Sequence, residues 1–170
     1  MVVVLATLLG VRGSLNGLAR DVEAMFYDGV YLKDERYTQP GIDSHLSNRI
    51  DAALNLATLV EVYPELTGDT EALLSARRAL MDASSIRGKY SENEKLQRAF
   101  LVVADKAKGL NLSEGDQAEV ESCLSSFSDA QTAIQNSGYN QQAKSFADSA
   151  SFFVRILKPF LFVSSPQTFA

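Results

Sequence analysis

The sequence predicts an all-α protein, folded as an antiparallel up-and-down four-helix bundle with an interrupted third helix. Apolar residues recur at spacings of three and four along most of the chain, which is the period of amphipathic helices. No long strand-like alternation accompanies them, and most connections are short, which favours antiparallel neighbours. The chain has 170 residues, of which 46% are hydrophobic, and this is enough for the core of one domain.

The first helix is expected to begin at Val2 or Ser14 and to end at Asp28. Gly29 follows as a C-cap residue. The polar run YLKDERYTQPG, residues 31–41, predicts a loop because it contains a Pro–Gly pair. The apolar stripe of this helix consists of Leu15, Leu18, Val22, Met25 and Phe26.

The second helix is expected from about Asp43 to Val62, because Pro64 disfavours helical backbone in the residue before it. The third helix begins near Thr67 or Asp69, either of which can serve as its N-cap residue. The positions of the third helix that face inward are Leu73, Leu74, Leu80 and Met81.

An interruption is expected within the third helix at Gly88. Ser91 and Glu94 have the spacing of a capping box, which predicts that the helix continues from there. The continuation closes at Gly109, after two lysines whose charges suit a helix C-terminus.

The fourth helix opens at Ser113, with Asp116 three residues on, and is expected to run to about Phe146. The chain is therefore divided into an apolar N-terminal segment, residues 1–13, a helical bundle, residues 14–147, and an apolar tail, residues 148–170.

The composition excludes several classes of function. A net charge of -5 argues against nucleic-acid binding, which needs a clustered basic face. His45 and Cys123 are the only residues of their kinds, so the chain can form no internal disulfide and no structural zinc site of four Cys or His ligands. His45 is interpreted as a boundary residue of its helix and Cys123 as a buried, inert thiol. The sequence predicts no catalytic residue, no cofactor site and no metal site.

Three helices each carry one long polar side chain inside an apolar stripe: Arg49, Arg77 and Gln131. We expect the arginine stems to pack while their charged heads reach water. The alternative is a buried polar network in which Glu23 or Glu121 supplies the counter-charge. Such a network would fix the register of the helices more than it would add stability.

Both ends of the chain are apolar. The start, MVVVLATLLGV, is too short to span a bilayer, and it indicates either the first turns of a core helix or the end of a membrane anchor. Phe152–Val163 has phenylalanines mixed with basic residues. This segment either packs across the bundle or lies at a membrane interface.

The stretch NRIDAALNLATLV, residues 48–60, resembles the helix signature of the LemA family at Arg49, Asp51 and Asn55. SGYNQQAKSF, residues 137–146, is similar to the Tyr-Asn ending of that family at Tyr139 and Asn140. The resemblance covers about residues 14–163. It implies a bacterial four-helix bundle, usually preceded by one membrane-spanning helix. The family's molecular role is not established, so the resemblance implies no reaction.

The leading hypothesis is a non-enzymatic, membrane-associated helical-bundle protein of the cell envelope that serves as an interaction or scaffold module for a protein partner. Its membrane contact would be made by the N-terminal segment and by Phe152–Val163. The alternative is a soluble homo-oligomer in which residues 2–11 and 152–163 form subunit contacts. An enzyme would require a pocket that joins His45, Arg49 and two carboxylates.

Overall fold

The structure is a computed structural model that describes residues 16–157 and Phe169, and it describes residues 149–157 by their backbone. The N-terminal segment 1–13 and residues 158–163 of the apolar tail therefore lie outside the described residues. The described residues are mostly helical, which confirms the all-α class. In chain order the elements are α1 (residues 16–28), β1 (Val30–Leu32), β2 (Tyr37–Gln39), α2 (Ile42–Val60), a short 3-10 helix (Pro64–Leu66), α3 (Thr67–Asp82), α4 (Ile86–Lys108), α5 (Glu114–Gln135) and α6 (Gly138–Leu157).

These elements belong to two compact units. The first contains the described residues up to Ile42 together with those from Ser137 onward, and the second is Asp43–Asn136. The buried apolar side chains of the first unit include Ala19, Val22, Phe26, Ile42, Tyr139, Ala143 and Phe169. Those of the second include Leu46, Leu56, Val60, Leu73, Leu80, Leu96, Phe100, Val103, Phe127 and Ile134.

In the first unit, α1 ends at Gly29 as expected. Gly29 has a φ of +88°, and its N–H donates to the carbonyl of Met25 at 3.0 Å. A Cβ at this position would lie 2.0 Å from the Gln39 carbonyl oxygen, so only glycine fits. Leu18, predicted to face the core, is instead 52% exposed.

The predicted loop between the first two helices contains a two-stranded antiparallel hairpin, which corrects the sequence prediction. Val30 pairs with Gln39 and Leu32 pairs with Tyr37. Aromatic and β-branched residues favour extended backbone, and this segment is rich in them. Each strand is only three residues long, which is too short for an alternating pattern to predict it.

The second unit begins with α2, which ends close to the predicted boundary before Pro64. The N-cap residue of α3 is Leu66, and neither Thr67 nor Asp69 caps this helix. The Thr67 hydroxyl donates instead to the Pro64 carbonyl at 2.9 Å. Thr67 therefore stabilises the 3-10 turn that leads into α3.

The predicted third helix is wrong in that it forms two separate helices, α3 and α4, and the break between them lies earlier than predicted. It falls between Asp82 and Ile86, and Ser85 caps α4 by accepting a hydrogen bond from the N–H of Gly88 at 3.0 Å. Gly88 is thus in the first turn of α4 and does not break it. Ser91 and Glu94 lie inside the helix, so the predicted capping box does not start it.

The C-terminus of α4 and the N-terminus of α5 agree with the sequence. Gly109 is the C-cap residue of α4 and follows two lysines in its last turn. The Ser113 hydroxyl accepts from the N–H of Asp116 at 3.1 Å and donates to the Asp116 carboxylate at 2.8 Å. This exchange satisfies one of the free donors at the start of α5.

The fourth predicted helix is wrong in its extent, because it is divided into two helices. α5 ends at Gln135, and α6 begins at Gly138 and continues to Leu157. Asn136 is the C-cap residue of α5, and the Ser137 hydroxyl accepts from the N–H of Tyr139 at 3.3 Å. Asn and Ser compete with helical hydrogen bonds through their own side chains, and here they turn the chain out of α5.

Candidate functional site

The candidate site of the second unit is built around Arg49 on α2. Its side chain is 0% exposed, so the expectation that its charged head reaches water is wrong. One terminal nitrogen of the guanidinium donates to the side-chain oxygen of Gln131 on α5, and the other donates to that of Gln97 on α4 at 2.9 Å. The side chain of Arg49 therefore joins three helices.

Aromatic stacking completes the surroundings of Arg49. Its guanidinium carbon lies 3.9 Å from the centroid of the Phe127 ring. That ring stacks on Phe100 of α4 with the two centroids 3.8 Å apart and the planes nearly parallel. A guanidinium over an aromatic face gains electrostatic attraction, and the gain is larger when the pair is desolvated.

The hydrogen-bond partners of Arg49 are neutral amides. Burial lowers the pKa of the guanidinium to about 10, and the negative charge of Glu94 opposes this shift. The Nε atom of Arg49 is buried and has no hydrogen-bond partner among the described residues. Arg49 is thus a desolvated cation without a carboxylate directly bonded to it, and it keeps an unused donor.

Arg77 on α3 behaves differently from Arg49. It is half-buried, and its Nε donates to the carbonyl of Ile50 on α2 at 3.0 Å. The contact joins the side chain of one helix to the backbone of another, which restricts how α3 can slide along α2.

The structure brings together only part of the predicted polar network. Arg49 and Gln131 are bonded directly, and Arg77 contacts α2 without joining them. Glu23 lies on α1 in the other unit. Burial is the main cause that raises the pKa of Tyr139 there, and the negative charge of Glu23 adds to it. Glu121 is exposed on α5.

Gln97 is the network residue that the sequence prediction missed. It lies one position after Leu96 and three before Phe100, at the edge of the apolar stripe of α4. An amide at the edge of a stripe is the signal that could have identified it, because a helix presents positions three and four apart on one face.

A second group of predicted residues lines a groove of about 500 Å³ between α2 and α5. It contains His45, Asp51 and Asn55 on one side and the single cysteine, Cys123, on the other. Arg49 does not line it, because that side chain faces the interior. The three family-signature positions on α2 therefore lie on different faces of the helix. Arg49 faces the interior, whereas Asp51 and Asn55 line the groove.

Burial shifts the pKa values of His45 and Cys123 in this groove. Burial lowers the pKa of His45. Burial, followed by the negative charge of Glu119, raises the pKa of Cys123. A raised pKa leaves the thiol protonated and weakly nucleophilic at neutral pH. Within the described part of the chain, no three His, Cys, Asp or Glu side chains form a group that could hold a metal ion.

The remaining signature positions, Tyr139 and Asn140, lie in the first unit. Tyr139 is fully buried, and its ring packs edge-on against Phe26 with the centroids 5.4 Å apart. The side-chain amide of Asn140 donates to the carbonyl of Phe169 at 2.7 Å and accepts from its N–H at 3.1 Å. Asn140 thus holds both backbone groups of one residue near the C-terminus.

Of the helices that the structure describes, none combines the length and the apolar character that crossing a bilayer requires. In comparisons with known proteins, no family model, no curated protein and no solved structure matches this chain.

Proposed function

We propose that this chain is a non-enzymatic, LemA-like helical-bundle protein that associates with a membrane of the cell envelope and serves as an interaction or scaffold module for another protein. The resemblance of residues 48–60 and 137–146 to the LemA signature is one support. The other support is that the buried side chain of Arg49 makes its contacts with the helices of the second unit.

The bundle of this proposal consists of α2, α3, α4 and α5, arranged up, down, up and down. It differs from the bundle expected from the sequence, which included the first helix and counted α3 and α4 as one interrupted helix. The ion pair of Lys106 with Asp69, at 2.6 Å, supports antiparallel α3 and α4, because it joins the end of one to the start of the other. The ion pair of Lys89 with Asp43, at 2.8 Å, joins the first turns of α4 and α2 and supports parallel packing of that pair.

The observation that carries the proposal is that the buried guanidinium of Arg49 contacts side chains of two other helices. An arginine that acts on a substrate needs a guanidinium that faces the reacting group, whereas this one is enclosed by Phe127, Gln97 and Gln131. A buried polar contact across three helices specifies their register. This polar group therefore serves the scaffold itself, which favours a module that presents a surface over an enzyme.

Membrane association is tested by fractionating cells that express the full chain. We expect it to stay in the membrane pellet through a high-salt wash, because residues 1–13 make apolar contact with the membrane in this proposal. A variant that lacks residues 1–13 is the matched control and should be released. Recovery of the full chain in the soluble fraction before any wash would remove the membrane part of the proposal.

The alternative is a soluble homo-oligomer, and one observation favours it. Leu101 and Val102 are adjacent on α4 and are 48% and 45% exposed, so they offer an apolar patch to a second copy. Light scattering without detergent distinguishes the two. A single oligomeric species that Leu101→Ser converts to a monomer would favour the alternative, and a monomer at all concentrations would exclude it.

A further inference from the structure

A groove of about 430 Å³ lies between α4 and α5, and Arg49 forms part of its lining together with Gln97, Gln131 and Phe127. Its size is within the range of small-molecule sites, which combine apolar walls with a few polar groups. The groove is separate from the one that contains His45. The proposed scaffold function uses side chains that line it but gives the open space itself no role.

The walls and rim of this groove have a distinct chemistry. Leu101 and Leu124 supply apolar walls, Ser125 and Ser128 supply hydroxyls, and Lys108 places a second positive charge at the rim. No carboxylate of a described residue lines the groove. Asp105 lines a neighbouring depression and is absent from this one.

The electrostatics of Arg49 point to what the groove accepts. A guanidinium offers five N–H bonds, and the two glutamine oxygens accept from its two terminal nitrogens, while the unpaired Nε–H is enclosed by the protein. A desolvated cation with neutral partners is stabilised by an anion, and a carboxylate matches the planar guanidinium best. Gln97 and Gln131 are only half-buried, so rotation of either side chain opens Arg49 to the groove.

We infer that this groove is a binding site for a carboxylate that carries a short aliphatic body. The carboxylate accepts hydrogen bonds from the terminal N–H groups of Arg49, and the positive charge of Lys108, which lines the same groove, attracts it at longer range. The aliphatic part lies against Leu101, Leu124 and Phe127. The carboxylate takes the place of the glutamine oxygen that rotates away, and the other glutamine contact remains, so the same residue stabilises the bundle and recognises the ligand.

The first test is a titration of the full chain with hexanoate, followed by NMR, with hexanamide as the neutral probe of equal length. We expect saturable binding of hexanoate that shifts the signals of Phe127 and of the Arg49 guanidinium. Hexanamide should bind at least about tenfold more weakly, because it lacks the charge. Equal binding of the two probes would overturn the inference.

The second test introduces a carboxylate into the site by substitution. Gln97→Glu should weaken hexanoate binding by about tenfold or more, because the new carboxylate occupies the guanidinium. The matched control is Gln135→Glu, which adds the same charge at an exposed position of α5 and should leave the affinity unchanged. Unchanged affinity in a folded Gln97→Glu variant would contradict the site. Should that variant fail to fold, Lys108→Gln takes its place, with a loss of several-fold expected and Lys95→Gln as its control.

The same carboxylate chemistry occurs in free fatty acids and at the C-terminus of a polypeptide. A dipeptide with a blocked N-terminus and a C-terminal leucine distinguishes these sources. Tighter binding of hexanoate assigns the site to free acids, and tighter binding of the dipeptide assigns it to a chain terminus. Failure of both probes to bind would refute the inference while leaving the membrane-association proposal untouched.

Discussion

The guanidinium of Arg49 stacks on the ring of Phe127 with 3.9 Å between the guanidinium carbon and the ring centroid. The two residues lie on α2 and α5, and the amide of Gln97 adds α4 to the same contact. A fully buried cation is therefore held by an aromatic face and neutral oxygens. The side chain at position 49 therefore contributes to the packing of three helices.

The size of the side chain at position 49 should matter more than its charge. Arg49→Ala removes the stacking and both hydrogen bonds and leaves a cavity, so we expect a loss of about 2–4 kcal/mol in the free energy of unfolding. Arg49→Met should change it by less than about 1 kcal/mol, because a flexible apolar chain fills the space without burying a charge. Urea denaturation measures both, and Arg98→Ala, at an exposed position of α4, is the control. Equal losses for Met and Ala would show that the charge itself is indispensable.

Asn93 on α4 should be replaceable with a gain in stability. Its side chain is 1% exposed, and neither of its polar atoms has a hydrogen-bond partner among the described residues. Burial of an unpaired amide costs about 1–3 kcal/mol, so Asn93→Leu should raise the free energy of unfolding by about 1–2 kcal/mol. The control, Asn48→Leu, changes an exposed amide and should have little effect. A lower stability for Asn93→Leu would mean that this amide has a partner.

The thiol of Cys123 should react slowly in the folded protein. It is 3% exposed, and burial raises its pKa, so little thiolate is present at pH 8. With a thiol-specific chromogenic disulfide reagent, we expect a rate at least about tenfold below that of an exposed cysteine. Ser126→Cys in a Cys123→Ala background provides this reference, because Ser126 is exposed in the same groove. Similar rates for the two proteins would place the thiol of Cys123 at the surface.

His45 should make the protein less stable in weak acid. Burial lowers its pKa below the usual 6.5, so the unfolded chain binds more protons than the folded one below that value. The contribution of His45 is therefore constant above pH 6.5 and is lost as the pH falls toward the folded-state pKa. NMR titration of this single histidine gives the folded pKa directly. We expect His45→Gln to lose less stability than the unsubstituted protein between pH 7 and pH 5. A folded-state pKa of His45 above 6.5 would contradict this prediction.

The sequence predicts local features of this fold well where short-range chemistry decides them. Gly29 ends α1 and Ser113 with Asp116 begins α5, because each of these signals acts within one turn of helix. The helical wheel also placed Arg49 among the core positions of α2, since the period of a helix relates neighbouring residues to one face.

Features that depend on tertiary contacts could not be predicted in the same way. The burial of Arg49 requires amides from two helices that are distant in sequence, and Gln97 alone carries no mark of that role. The division between α5 and α6 was missed because apolar residues keep the helical period past Gln135, while Asn136 and Ser137 turn the backbone. The hairpin at Val30–Leu32 and Tyr37–Gln39 was missed because strands this short show almost no alternation.

The most direct test of the buried, amide-bound state of Arg49 is an NMR titration of its guanidinium carbon between pH 8 and pH 12. A guanidinium that burial desolvates should lose its proton with a midpoint near 10, well before the exposed arginines of the chain. Its Nε–H should also exchange slowly with solvent, because that atom is enclosed. An Arg49 signal that stays unchanged up to pH 12, together with rapid exchange of its Nε–H, would contradict the account.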